Sequence, residues 1–210
     1  MTEFWESNFR EIQTAWGFDP SDSAMLAKDI FLENNVKEIL IPGIGYGRNA
    51  RIFTDNEIQV TGIEISKTAI DLAKEQNELH IKIYHGSVTD MPFDTKLYDG
   101  IFCYALIHLL NSRERKKFIN DCYNQLKPHG TMIFTVVSQK SSMYGNGKRL
   151  GKNRFEIRKG LKVYFYDPDS VKTEFGKYGL TDFYEMDEPI KHLEYEPPLK
   201  CIFVKCKRME

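Results

Sequence analysis

The chain has 210 residues, 41% of them hydrophobic, which fits one domain with a substantial core and leaves little room for a second. Its 29 basic and 30 acidic residues nearly cancel, so no nucleic acid or membrane partner is expected, and a charged ligand would have to be met by a local patch. No run approaches the roughly 18 apolar residues of a membrane-spanning helix, the start Met-Thr-Glu-Phe-Trp-Glu is not that of a secretory leader, and the four cysteines form no C-x-x-C pair; these features predict a soluble cytoplasmic protein, a monomer or homodimer.

Residues 1–36 place Trp5, Phe9, Ile12 and Trp16 near helical spacing and predict a helical extension before the core. The two tryptophans either pack that helix or close over a ligand. Strands are expected at 37–42, 58–64, 80–84, 98–104, 131–137, 181–186 and 200–206, with helices at 47–54, 67–76 and 112–126 between the first five. Ser112 reads as an N-cap and Lys127-Pro128-His129-Gly130 as a stop. A further helix over 168–178 opens with Asp167-Pro168 and closes at Gly179. The connection from Asp187 to Leu199 holds Pro189, Pro197 and Pro198 and no helix, so the last strand should run antiparallel to its neighbour. The alternation predicts an α/β fold, a Rossmann-like three-layer αβα sandwich around a seven-stranded, mostly parallel sheet. Residues 138–153 are polar and glycine-rich and predict a mobile loop, followed by a hairpin of 154–157 and 162–166 appended to the sheet.

The chemistry concentrates at Ile39-Leu-Ile-Pro-Gly-Ile-Gly-Tyr-Gly-Arg-Asn-Ala50, a strand running into a glycine turn and a helix start. Glycines there let the backbone lie against a flat ligand. Glu64, in Thr61-Gly-Ile-Glu-Ile-Ser66, closes the next strand about 20 residues on, where a carboxylate can accept both hydroxyls of a ribose. Nicotinamide dinucleotide, nucleoside triphosphate and S-adenosylmethionine are the candidates, beside a purely structural turn. A dinucleotide motif wants glycine where Arg48 stands, and no Gly-Lys-Ser or Gly-Lys-Thr serves a triphosphate, so G-x-G-x-G favours S-adenosylmethionine.

Four stretches in order then resemble the class I S-adenosylmethionine-dependent methyltransferases over about residues 36–137. Pro42-Gly-Ile-Gly-Tyr-Gly47 is similar to the family's first motif, with Ile41-Pro42 replacing the usual acidic residue as in the thiopurine and halide methyltransferase branch. Glu64 and Ile65 occupy the ribose position. His85-Gly-Ser-Val-Thr-Asp-Met-Pro-Phe93 resembles the adenine loop, implying that Ser87 and the Val88 backbone meet adenine, with Asp90 as a second acidic position or a cap. Tyr98-Asp-Gly-Ile-Phe-Cys-Tyr-Ala-Leu-Ile-His-Leu109 resembles the strand whose end, at Tyr104, opens into the cleft. The implied cofactor set is Pro42, Gly43, Ile44, Gly45, Gly47, Arg48, Glu64, Ile65, Ser87, Val88 and Tyr104, with no metal. Arg48 either reaches the cofactor's carboxylate or faces solvent.

The resemblance implies direct in-line methyl transfer to a small-molecule acceptor, with no catalytic residue nominated; His108 is an acid or base candidate, or a packing residue. Segment 138–166 is the expected substrate-side insertion, with Lys140, Lys148, Arg149, Lys152, Arg154, Arg158, Lys159 and Lys162 against Glu156. Those charges, with Phe155, Tyr164, Phe165 and Tyr166, suggest an anionic or aromatic acceptor. A non-catalytic cofactor-binding module and an NAD-dependent oxidoreductase are the competing functions.

Overall fold

Alternation along the central strands sorts their side chains between two helical layers. In this computed structural model, which describes residues 2–14, 16–75, 81–189 and 198–209, strand β1 (Glu38–Pro42) sends Ile39 and Ile41 to one core and Leu40 to the other. The first core holds Phe31 of helix α2 (Asp22–Glu33) and Phe53 of α3 (Arg51–Thr54), packed on Phe102 and Phe203. The second holds Phe118 of α5 (Ser112–Asn124) and Phe175 of α6 (Pro168–Phe175), packed on Cys103 and Phe134. Period-two burial on both faces is what a sheet covered on both sides demands. The remaining helices are α1 (Thr2–Ile12) and α4 (Lys67–Glu75).

The strands of the main sheet are β1, β2 (Gln59–Glu64), β3 (Lys82–His85), β4 (Tyr98–Tyr104), β5 (Leu126–Val137), β9 (Leu180–Glu188) and β10 (Leu199–Lys207). Their order is β3-β2-β1-β4-β5-β10-β9, with β1 to β5 parallel and β10 antiparallel to both neighbours. The seven-stranded sheet and its antiparallel last strand match the expectation. β1 pairs with β2 on one side and β4 on the other, so the strand order reverses there and opens a crevice at the carboxyl ends.

Several local expectations change. The helix expected at 47–54 shrinks to Arg51–Thr54, because Gly47 N–H bonds to Ile44 O and Ala50 N–H to Gly47 O in successive turns. The extension holds two helices, not one. Asn111, not Ser112, caps α5, in a reciprocal box with Glu114. The stop at Lys127–Gly130 instead lies within β5, which breaks register against β4 between Tyr98 and Gly100. Lys148–Gly151, expected as loop, forms β6, which with β7 (Arg154–Arg158) and β8 (Leu161–Tyr164) makes a separate three-stranded sheet. Just beyond β8, an isolated parallel bridge joins Tyr166 to Ser138 at the end of β5, and Arg154 of β7 reaches the carbonyls of Leu109 and Leu110. Residues 76 and 80 of the expected helix and strand, and most of the 187–199 connection, lie outside the described residues.

Candidate functional site

The carboxyl ends of β1, β2 and β4 surround a cavity of about 830 Å³. β1 ends in Pro42, and the chain turns at Gly43 (φ +70°) and Gly45 (φ +59°), backbone angles that side chains rarely tolerate. A Cβ on Gly43 would stand 3.0 Å from Leu106 Cδ1, so the segment after β4 packs directly on the turn. The turn is tied to β2 by the N–H groups of Gly43 and Ile44, which both donate to Ile63 O at 2.8 and 3.1 Å.

Glu64 closes β2 and is 5% exposed. Its Oε2 accepts from Gly45 N at 2.8 Å, and its Oε1 accepts from Ile65 N and Ser66 N, each at 2.9 Å. Burial pushes its pKa up, and the three backbone donors partly offset that. A carboxylate has about four lone-pair sites, so acceptor capacity remains for a ligand. The carboxylate is thereby held in one orientation on the cavity wall.

Of the residues nominated from sequence, Gly43, Ile44, Gly45, Arg48, Glu64, Ile65, Ser87, Val88 and Tyr104 line this cavity. Pro42 and Gly47 are not on its wall: Pro42 is buried opposite Ile63 in the sheet, and Gly47 is used inside the turn. Ser87 accepts from Thr89 N at 3.2 Å, capping the short turn Val88–Asp90, while Asp90 is exposed and off the wall. Arg48 Nη1 donates to Trp16 O at 2.8 Å, and its guanidinium lies 5.7 Å from the Tyr104 ring centre. Burial raises the Tyr104 pKa, so its phenol keeps its proton at neutral pH.

Two of the chemical candidates lie off this wall. His108 is buried in the turn Ile107–Leu109, off the wall, with Nδ1 unpartnered; desolvation lowers its pKa to about 3, so it stays neutral and packs. The basic segment 138–166 contributes no described residue to the wall. Its small sheet instead borders an adjoining cleft of about 380 Å³ with Glu3, Phe4, Trp5 and Leu109. Two of its cations are already engaged, Arg154 on the carbonyls of Leu109 and Leu110 and Lys140 on Glu185.

Several wall residues were not nominated from sequence: Phe9, Asp19, Asp22, Leu106, Leu109, Leu110 and Glu188. Phe9 carried a signal, its helical spacing with Trp5 and Trp16, both of which also line the cavity. Glu188 carried none. It ends β9, and its two oxygens accept from Asp22 N (2.9 Å) and Ser23 N (3.1 Å), pinning the start of α2.

Glu6 fastens α1 over the site. It accepts from Ser66 Oγ and Thr68 Oγ1, each at 2.7 Å, and from Thr68 N at 3.3 Å. These bonds, the hydroxyl of Thr68 first, lower its pKa from 4.5 to about 2. A lowered carboxyl pKa stabilises the docked helix fully above about 4.5, and that contribution is lost as pH falls towards about 2. The fluorescence of Trp5 and Trp16, read from pH 6 down to pH 2, should report release in that window (on the order of 2 pH units,). Glu6→Ala should show the released signal already at pH 7; a wild-type-like signal in that variant would remove the latch.

Among the described residues no group of three side chains could hold a metal, and no helix is long and apolar enough to cross a membrane. The four cysteines are buried and free.

Residues 40–134 match the family model described as a methyltransferase domain. A ubiquinone biosynthesis O-methyltransferase of Coxiella burnetii is 27% identical over 111 residues, 51% of this chain and 47% of the relative. A demethylmenaquinone methyltransferase of Tropheryma whipplei is 28% identical over 156 residues, 72% of this chain and 62% of the relative. The chain thus spans about half to three fifths of the length of these curated relatives. Among solved structures, the 1,6-didemethyltoxoflavin-N1-methyltransferase of Burkholderia thailandensis, with bound 1,6-didemethyltoxoflavin and S-adenosylhomocysteine, superposes with a TM-score of 0.74 at 12% identity. The match covers all of this chain and 87% of that one.

Proposed function

We propose, for a chain that carries a class I S-adenosylmethionine-dependent methyltransferase domain, that its cavity binds S-adenosylmethionine and serves methyl transfer to a small-molecule acceptor. The observation that carries this reading is Glu64, a buried carboxylate fixed by the glycine turn and facing a cavity at the strand-order reversal. The match over residues 40–134 and the names of the relatives support it.

The residues present fit the cofactor. Glu64 offers its remaining lone pair to a ribose hydroxyl, Gly43 and Gly45 bring bare backbone to the methionine end, and Ser87 and Val88 border the place for adenine. When bound, the cofactor supplies a methyl group already activated on a sulfonium sulfur, so this chain needs no covalent intermediate of its own. Its residues act by orientation, which is worth up to roughly 7–11 kcal/mol in favourable systems. The apolar wall residues Trp5, Phe9, Leu106 and Leu109 displace water from the cavity, and Tyr104 stands on the same wall. Tyr104 holds its proton, so it hydrogen-bonds rather than deprotonates an acceptor. Four buried free thiols suit a reducing compartment, and we place the protein in the cytoplasm.

Calorimetric titration with S-adenosylmethionine should give saturable one-site binding, and incubation with acceptor panels should release S-adenosylhomocysteine. Binding of NAD(H) in place of S-adenosylmethionine, or binding without turnover of any acceptor, would favour the competing oxidoreductase or sensor.

A further inference from the structure

We infer that the acceptor part of the cavity recognises an amine-bearing ring compound, methylated on nitrogen; this rests on the methyltransferase reading above. The described wall carries four carboxylates, Asp19, Asp22, Glu64 and Glu188, and one cationic side chain, Arg48. Glu64 is committed to the turn and the ribose position. The rest of the wall is therefore acidic, and an anionic acceptor would be repelled there while a protonated amine is drawn in.

The same region is aromatic. Trp5 and Phe9 lie 6.1 Å apart between ring centres, Phe9 and Trp16 5.9 Å, and Trp16 stacks on Tyr46 at 6.2 Å with 5° between planes. All four rings border the cavity. Asp19 and Asp22 follow Trp16 within one short segment, which sets π faces beside carboxylates, the pairing that selects an organic cation over a neutral molecule of equal shape. None of the described basic side chains of 138–166 lines this wall, where Arg48 stands against the carboxylates of Asp19, Asp22 and Glu188.

The reaction balances without a strong base. The amine enters as ammonium and sheds a proton to water or a wall carboxylate, exposing its lone pair. The N–C bond forms as the S–C bond breaks, the electron pair leaves on sulfur, and an alkylated ammonium results. A phenol would have to be ionised first, and Tyr104 and His108 do not supply that service.

Both tryptophans of the chain, Trp5 and Trp16, stand on this wall, so their fluorescence reports ligand without turnover. With the cofactor site filled by S-adenosylhomocysteine, phenyltrimethylammonium should quench it saturably. It should bind about tenfold more tightly than tert-butylbenzene, its neutral isostere, and more tightly still than benzoate. Asp19→Asn, and independently Trp16→Leu, should erase most of that preference while leaving the calorimetric affinity for S-adenosylhomocysteine within about twofold. Equal binding of ammonium and isostere, tighter binding of benzoate, or ammonium binding only when S-adenosylhomocysteine is absent would overturn the amine assignment. Failure to bind S-adenosylhomocysteine at all would overturn the methyltransferase reading beneath it.

Discussion

Glu64→Ala is expected to weaken S-adenosylmethionine binding by about 10- to 100-fold, the loss of one hydrogen bond to a charged acceptor at about 1.5–3 kcal/mol. The substitution also strips the N–H groups of Gly45, Ile65 and Ser66 of their acceptor, so the glycine turn is left tied to β2 by the Gly43 and Ile44 bonds to Ile63 O. Glu64→Gln separates the two effects. It keeps one carbonyl oxygen for the turn while offering the ribose a poorer partner, so its affinity should fall between the wild type and Glu64→Ala. Calorimetry checks both variants, with a thermal melt to show that each is folded. A folded Glu64→Ala protein with unchanged affinity would refute the role given to this residue.

The second large effect lies away from the cofactor. Arg115 is 3% exposed and grips Glu174 through Nε at 3.1 and 3.0 Å and through Nη2 at 2.7 Å. Its Nη1 donates to Leu110 O at 3.1 Å, its guanidinium covers the Tyr164 ring at 3.8 Å, and Tyr166 Oη donates to Glu174 at 2.8 Å. Glu174→Ala leaves that guanidinium buried without its carboxylate and should cost about 3–5 kcal/mol in denaturant unfolding. Replacing both partners with apolar residues, Arg115→Met with Glu174→Leu, should recover most of the loss, because the pair's desolvation cost disappears with its attraction. A loss under about 1 kcal/mol for Glu174→Ala would mean that the pair is solvated in solution. Since Leu110 lines the cavity, the single variant should also weaken binding of acceptor-like ligands.

What was legible in sequence follows from how locally each feature is encoded. Strand β4 coincides with its expected bounds because the apolar run Ile101-Phe-Cys-Tyr104 is too short to fill a helix and is rich in residues that favour strands. The cap at Asp167 and the left-handed Gly179 (φ +70°) were legible for the same reason, since both are set by neighbours in the chain. β6 was missed because Lys148-Arg-Leu-Gly151 is exposed throughout and carries no alternation; only pairing with β7 makes it a strand. That the basic segment borders the adjoining cleft was not legible, because sequence shows that cations are clustered and not which way the small sheet faces.

By itself the sequence determined the alternating α/β order, the glycine turn and the carboxylate that follows it, because backbone angles and a short strand spacing are properties of contiguous residues. Tertiary structure alone decided that Glu64 is clamped by Gly45, that Glu6 binds Ser66 and Thr68, and that Glu188 caps α2. It also decided that the wall of the cavity takes Asp19, Asp22, Glu188 and a group of aromatic rings, and no side chain of the basic segment. Those groups come from segments up to 166 residues apart, and their charge, burial and orientation exist only once the sheet has brought the ends of its strands together.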